Sequence, residues 1–269
     1  MNTDPTPGLP DYNALAAVFD RFLPLIQPVT GAILEHLPAL PAGARVLDVA
    51  CGTGEPGLSL ARRSPDVQLL GVDAAAGMLE VARAKAEREQ LANVRFEVMS
   101  AEILACADGS MDAVVSRFGL LMFGDVAASA RELARVLRRG GHFSVAVWHD
   151  MNKNTLVNTV IGALRPHVDP EQFAAFDRLT EVDVASRLKD AGIAESHAAP
   201  FSWSYDFPHW EAVWDFAAGP GLFGKHFTDM DEATKEQVRA ELTAASAGYV
   251  QRDGRYHIPH TCRLWSGRR

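Results

Sequence analysis

The sequence is poor in cysteine and has no run of basic residues. Its three cysteines, Cys51, Cys106 and Cys262, are an odd number without CxxC spacing. This pattern argues against a disulfide framework and against a zinc site. The formal net charge is −8, and without a lysine or arginine run no basic patch is available to hold phosphates. We therefore expect no metal and no nucleic-acid partner.

Long apolar runs are also missing from the start of the chain. The first thirty residues are polar and contain several prolines, and no apolar segment among them reaches membrane length. We expect no signal peptide, no stable membrane insertion and a cytoplasmic location. With 269 residues, of which 48% are hydrophobic, the chain can bury one large core.

A glycine-rich turn is the most informative feature. The apolar run 45–49 leads into residues 52–57, whose glycines have G-x-G-x-x-G spacing and let a ligand approach the backbone closely. That spacing alone suggests a dinucleotide. However, Asp48 and Glu55 place negative charge where the phosphates of a dinucleotide would lie. S-adenosylmethionine (SAM) carries an ammonium and a sulfonium instead, for which carboxylates are favourable partners.

Five segments in order resemble the motifs of class I SAM-dependent methyltransferases, most closely the branch with ubiquinone and menaquinone C-methyltransferases and natural-product methyltransferases. The resemblance implies an α/β fold that is Rossmann-like and doubly wound, with a mostly parallel seven-stranded sheet and a helical cap. The segments are 46–54, 71–73, 100–102, 111–116 and 133–141.

The resemblance also implies a set of cofactor residues. Asp73 would hold ribose hydroxyls, a role that NAD would share. Ala50 stands where glycine is common, and its methyl group is tolerated if φ is negative. Ser100 stands where an aspartate often bonds the adenine amino group, and its hydroxyl can accept that bond, alone or with Glu102. The full set is Asp48, Ala50, Gly52, Gly54, Asp73, Ala74, Met78, Ser100, Ala101, Glu102 and Ser116.

The hydrophobic periodicity from residue 44 onward alternates between strand and helix, which predicts crossovers and a parallel sheet. The predicted strands are 45–50, 67–73, 94–98, 111–116 and 142–148, and the predicted helices 56–63, 75–90 and 126–138. Helices at 11–23 and 29–37 precede them and form either a lid or a simple packing pair. The predicted divisions are a lid at 1–40, a SAM-binding core at 41–150, and a substrate cap with further strands of the same sheet at 151–269.

Aromatic residues crowd the carboxyl-terminal half. Nine of the 22 lie between Phe201 and Phe227, which indicates a second core or the wall of an apolar pocket. Alternation over 201–207 predicts a strand with one buried face, for which core packing is the favoured interpretation. A helix at 210–217, a helix at 229–248 and a strand at 255–264 are also predicted. The acceptor pocket is assigned to Phe118, Trp148, Leu222 and Phe223.

Methyl transfer from a sulfonium is an in-line displacement, for which alignment and exclusion of water are the main requirements. A general base is needed only for some acceptors. His149, just past the fifth strand, is the candidate base, although a histidine at a strand end is often merely solvated. His257 and His260 are weaker candidates, and Arg117 would either steer an anionic acceptor or cap the sheet edge.

The leading hypothesis is therefore a SAM-dependent methyltransferase that acts on a small, largely apolar or aromatic metabolite. An NAD-dependent oxidoreductase is disfavoured by the charges of the turn. A non-catalytic SAM-binding sensor or partner subunit stays open.

Overall fold

The structure, a computed structural model, describes residues 10–148, 153–178, 182–193 and 195–269. The first two helices are α1 (Tyr12–Phe19) and α2 (Leu23–Glu35). The helix predicted to start at residue 29 thus starts at Leu23. Pro24 lies in its first turn, where no acceptor waits for the missing N–H, so it does not break the helix.

Strands and helices then alternate through the parallel half of the molecule, which explains the alternation in the sequence. Helix α5 ends before residue 138 because the chain turns into an extended strand at Leu137, earlier than predicted. The elements are β1 (Arg45–Val49), α3 (Gly57–Arg63), β2 (Gln68–Asp73), α4 (Ala76–Arg88), β3 (Val94–Val98), β4 (Met111–Arg117), α5 (Val126–Val136) and β5 (Leu137–Val147).

Helices and two long strands follow β5. The strand predicted at 201–207 begins earlier in the structure, and the strand predicted at 255–264 ends later. Both are longer than predicted because they pair with each other along their whole length. The elements are α6 (Thr155–Leu164), α7 (Ala174–Arg178), α8 (Val184–Asp190), β6 (Glu195–Phe207), α9 (Trp210–Ala218), α10 (Gly224–Thr228), α11 (Glu232–Ser246) and β7 (Tyr256–Arg268).

All seven of these strands form one sheet in the order β3-β2-β1-β4-β5-β7-β6. Strands β1 to β5 run parallel, and β7 runs antiparallel to both of its neighbours. This confirms the predicted mostly parallel, seven-stranded, Rossmann-like sheet. The sequential order reverses beside β1, which is the switch point where open α/β sheets bind ligands at the carboxyl ends of their strands.

Strands β6 and β7 extend past the carboxyl edge of the parallel strands. The last residue of β5, Val147, pairs with Arg263, which in turn pairs with Pro200. Beyond that row, residues 201–207 and 256–262 pair with each other as a two-stranded ribbon. At 3.3 Å per residue the ribbon reaches roughly 20 Å past the sheet edge. We call it the aromatic ribbon, and it stands beside the expected ligand site.

The main core lies between the sheet and its helices, and α2 is buried against the ribbon side. Within the described ranges, no single helix has the length and apolarity needed to cross a membrane. Helices α1 and α2 pass that test only when taken together, and they bend by 94° at the break between them.

Candidate active site

The glycine-rich turn after β1 is held by its own amide groups. Gly52 and Gly54 have φ angles of +54° and +108°, which favour glycine. The Gly52 N–H donates to Asp73 Oδ2 at 2.8 Å, and the Gly57 N–H donates to Asp48 Oδ2 at 2.7 Å. The Gly54 N–H donates to the Cys51 carbonyl. All three glycine amides are therefore occupied, which leaves none of them to bind a pyrophosphate.

Asp48 is fully buried beneath this turn. Its Oδ1 atom has no hydrogen-bond partner within the described part of the chain. Burial raises the pKa of Asp48 to about 8, against the opposing effects of the Gly57 hydrogen bond and the charge of Arg117. A cation placed over the turn would stabilise the ionised form.

Glu55 does not face the ligand side of the turn as the charge argument predicted. Its carboxylate pairs with Arg62 Nη1 at 2.9 Å and accepts the Ser59 N–H at 3.1 Å. Because both contacts lie on α3, Glu55 stabilises the start of that helix.

Ala50 has a φ of +54°, so the expectation of a negative φ is wrong. This left-handed conformation costs an L-residue about 1–2 kcal/mol. A Cβ on Gly119 would lie 2.2 Å from the Ala50 Cβ. The absence of a side chain at Gly119 therefore makes room for the methyl group that Ala50 adds.

The residues predicted at the adenine edge lie after β3. Ser100 Oγ accepts the Glu102 N–H at 3.2 Å, and Glu102 Oε1 accepts the Asp125 N–H at 2.7 Å. Ala101, between them, is half-buried. Ser100 thus stabilises a local turn and stays exposed at the surface, whereas Glu102 connects this turn to the start of α5. Ser116, at the end of β4, is buried and accepts the Leu120 N–H at 3.0 Å.

Asp73 is half-buried at the end of β2. Besides Gly52, the Ala75 N–H donates to its carboxylate, at 2.8 Å. Burial raises the pKa of Asp73 although these amides oppose the shift. Ala74 next to it is exposed, and Met78 is buried against α1.

Helix α1 covers the turn from above. Thr53 Oγ1 donates to Asp20 at 2.6 Å, and Lys85 Nζ pairs with the same carboxylate at 2.9 Å. Burial raises the pKa of Tyr12 to about 12, and the charge of Asp73 adds to this shift. The side chain of Asp20, at the end of α1, therefore connects the turn with α4. Tyr12 lies close enough to Asp73 for the charge of Asp73 to affect its pKa.

Aromatic side chains form a wall on the side of the site opposite the glycine-rich turn. Phe118 follows β4 with a φ of +61° and stacks on Trp148, with ring centroids 3.9 Å apart and planes 4° apart. From there a line of ring contacts crosses the aromatic ribbon and returns to α1. Its steps are Trp148–Trp203, Trp203–Tyr205, Tyr205–Phe216, Phe216–Phe22, Phe22–Phe19 and Phe19–Tyr12.

The loop 219–224 packs onto this wall at the junction of α1 and α2. A Cβ on Gly221 would lie 2.1 Å from the Phe22 ring, and Arg21 pairs with Asp215. Leu222 is half-buried, whereas Phe223 is only 1% exposed. Of the two predicted pocket residues, Leu222 is thus the one with surface left for a ligand.

A separate cavity of about 220 Å³ lies at the end of β5. Trp148 and Val147 line it together with Val184 of α8 and the outward face of β7. Strand alternation places it on the side of the sheet opposite α2. It is smaller than the pockets of about 300–1,000 Å³ that hold drug-sized ligands.

The candidate base His149 lies outside the described residues. His260 is buried, stacks on Tyr205 at 3.7 Å, and contacts the Ile258 carbonyl through Nδ1 at 3.1 Å. Burial lowers its pKa to about 4. His257 pairs with Asp206 at the surface. The described ranges contain no cluster of three histidine, cysteine, aspartate or glutamate residues that could hold a metal.

Comparison with known proteins agrees with this geometry. Residues 46–141 match the family described as "Methyltransferase domain". A ubiquinone biosynthesis O-methyltransferase from Acinetobacter baylyi is 34% identical over 171 residues, which cover 61% of this chain and 70% of that protein. The chain belongs to the SAM-dependent methyltransferases. SAM is accordingly its cofactor, and the alternative of an NAD-dependent oxidoreductase is excluded.

Two further methyltransferase relatives show how much of the chain the similarity covers. A demethylmenaquinone methyltransferase from Deinococcus radiodurans is 44% identical over 108 residues, which are 40% of this chain and 42% of that protein. The crystal structure of YcgJ from Bacillus subtilis aligns with a TM-score of 0.59 and 22% identity, covering 90% of this chain and 99% of that chain. The chain spans less than half the length of several of the curated relatives that it matches.

The site of this methyltransferase fits SAM on physical grounds. SAM needs no pyrophosphate site, and the glycine amides offer none. Asp48, whose Oδ1 has no partner among the described residues, would ionise when a sulfonium or ammonium lies over the turn, and its carboxylate would then stabilise that cation. Asp73 keeps lone pairs for ribose hydroxyls, since each carboxylate oxygen can accept two hydrogen bonds.

Sequence reasoning missed Asp20, Thr30 and Tyr205. Asp20 connects the turn to α4, Thr30 contacts Arg117, and Tyr205 lies in the ring line. The only signal in the sequence was that Tyr205 belongs to the buried face of an alternating strand.

Proposed function

We propose that the protein transfers the methyl group of SAM to a small, largely apolar or aromatic metabolite. The observation that carries the proposal is the Phe118–Trp148 stack, which lies at the carboxyl ends of β4 and β5, beside the strand that carries the cofactor turn. A flat apolar acceptor would contact such rings and displace water from them. Two relatives are named a demethylmenaquinone methyltransferase and a ubiquinone biosynthesis O-methyltransferase, which supports a ring-bearing acceptor.

In this mechanism the protein aligns the acceptor with the sulfonium methyl group and excludes water. Residues 1–40 act as the lid and residues 151–269 contribute the cap, around the SAM-binding core at 41–150. The aromatic ribbon and α2 shield the reacting atoms, and Leu222 contacts the acceptor. His149 takes the proton of acceptors that are not acidic enough to ionise unaided.

The test is methyl transfer from isotope-labelled SAM to a panel of demethylated quinones, phenols and enols. We expect transfer to at least one flat acceptor, and a KM for it that rises in Phe118→Leu while the KM for SAM changes little. Glu195→Gln is the matched control, because Glu195 pairs with Arg268 at the amino-terminal end of β6, far from the site. SAM binding without transfer to any member of the panel would instead indicate a non-catalytic sensor or partner subunit.

A further inference from the structure

A buried arginine lies between the cofactor turn and the aromatic residues that begin with Phe118. Arg117 ends β4 and is 8% exposed. In the part of the chain that the structure describes, its guanidinium makes one hydrogen bond, from Nη1 to Thr30 Oγ1 at 2.5 Å. A guanidinium carries five N–H donors, so most of its hydrogen-bonding capacity is unused.

Acidic groups lie near Arg117 but do not neutralise it by contact. Burial lowers the pKa of Arg117 to about 10, against the opposing charges of Glu55 and Asp48. The Glu55 carboxylate is paired with Arg62, and the hydrogen bond of Asp48 comes from Gly57. Arg117 therefore stays protonated at neutral pH without a salt bridge among the described residues.

A second donor lies close by on the aromatic ribbon. Tyr205 is 3% exposed, and its hydroxyl forms no hydrogen bond with any residue that the structure describes. Burial raises the pKa of Tyr205, and the positive charge of Arg117 opposes this shift. The neighbouring Trp203 differs, since its indole N–H donates to the Leu25 carbonyl at 2.8 Å. Tyr205 lies two residues from Trp203 on β6 and so shares the face that contacts α2, and Arg117 is hydrogen-bonded to Thr30 of α2. Both groups therefore lie on the α2 side of the sheet.

A charge in a largely buried side chain is stabilised when an oppositely charged group accepts hydrogen bonds from its free donors. A guanidinium binds oxyanions through two parallel hydrogen bonds, and a tyrosine hydroxyl can donate a third. We propose that Arg117, Thr30 and Tyr205 form a subsite for a carboxylate or similar oxyanion. Thr30 orients the guanidinium, and Arg117 and Tyr205 contact the ligand.

Two ligands could supply this oxyanion. One is the acceptor, as a carboxylate, phenolate or enolate, and this source rests on the proposed methyl transfer. The other is the methionine carboxylate of SAM, which rests only on cofactor binding. Arg117 is consistent with both, because β4 lies between the cofactor turn on β1 and the ribbon beyond β5.

Arg117→Gln separates the sources by binding measurements that need no turnover. Calorimetry would compare S-adenosylhomocysteine with 5′-methylthioadenosine, which lacks the amino-acid part. Tryptophan fluorescence, with the cofactor site saturated, would compare benzoate with benzyl alcohol. Arg268→Gln is the matched control, since Arg268 is an exposed arginine at the far end of β7.

If the oxyanion belongs to the cofactor, Arg117→Gln weakens S-adenosylhomocysteine about tenfold or more and leaves 5′-methylthioadenosine unchanged. If it belongs to the acceptor, benzoate weakens to that extent and benzyl alcohol does not. The proposal is overturned if all four affinities stay within twofold of wild type. Should Arg117→Gln not fold, Tyr205→Phe and Arg117→Lys replace it, and each must weaken the same anionic ligand at least threefold. If Arg117 binds anions but the protein transfers no methyl group, the proposed function is refuted and the proposed oxyanion subsite is not.

Discussion

Asp48→Asn should change the pH dependence of stability in a direction that the structure fixes. The Asp48 carboxyl is buried, its Oδ1 has no described partner, and its pKa is raised to about 8, mainly by burial. Between the pKa of the unfolded chain, about 3.9, and about 8 in the folded protein, only the folded state holds the proton. The stabilisation from this group is complete below the unfolded pKa and is lost as the pH rises towards 8.

The magnitude follows from proton linkage. Each pH unit in that window removes about 1.4 kcal/mol from the free energy of unfolding of the wild type. Between pH 5 and pH 8 the loss from Asp48 is therefore about 4 kcal/mol. Asparagine keeps an acceptor for the Gly57 N–H and does not ionise. Between pH 5 and pH 8 the free energy of unfolding of the variant should therefore rise by that amount relative to the wild type.

Urea unfolding of both proteins at each pH from 5 to 9 measures this difference. It should grow with pH and become constant above about 8. Asp112→Asn is the control: burial alone would raise the pKa of Asp112, but the Arg45 N–H and Arg138 hold it below its ordinary value. Asp112 is ionised in both states over this range, so its difference should be flat. A flat difference for Asp48→Asn too would show that the carboxyl is not desolvated as the structure indicates.

Four further substitutions test the region around the ligand site. Asp73→Ala should cost at least about 1.5 kcal/mol of SAM affinity by calorimetry, and an unchanged dissociation constant would rule out a ribose contact. Leu222→Ala should raise the KM of the acceptor much more than that of SAM. Equal losses for both substrates would indicate a folding role for this loop. Phe223→Ala should instead lower the free energy of unfolding, since Phe223 is buried. His149→Asn should keep SAM affinity, lower kcat roughly 100-fold and remove a near-neutral limb of the pH-rate profile; wild-type turnover across pH would exclude a base at this position.

The parallel half of the molecule was predictable because its signals are local. Short apolar runs and the helical period fix β1 to β5 and the helices between them closely, except that β5 begins at Leu137, well before the predicted residue 142. The turn after β1 was found for the same reason, since glycine spacing and the acidic residues beside it are adjacent in sequence. The start of α2 at Leu23 was not found, because proline was treated as a break although the first helical turn tolerates it.

Side-chain roles at the site could not be read from neighbouring residues alone. Glu55 had the charge and position expected of a ligand carboxylate, yet Arg62, near the end of α3, pairs with it. Ala50 was expected at negative φ, but the left-handed conformation is fixed by the path of the turn and accommodated by Gly119, which is 69 positions away in the printed sequence. In both cases the deciding contact is made by an element whose position the local pattern does not specify.

The proposed lid and the proposed cap are connected by contacts between residues almost two hundred positions apart. Phe22 packs edge-on against Phe216 with ring centroids 5.4 Å apart, and Arg21 pairs with Asp215. Asp20, next to them, accepts hydrogen bonds from Thr53 of the cofactor turn and from Lys85. Residues 20–22, directly after α1, therefore contact both the cofactor turn and the proposed cap. A displacement of α1 that admits SAM would consequently loosen the wall on the acceptor side, so we expect the two substrates to influence each other's binding through this stretch.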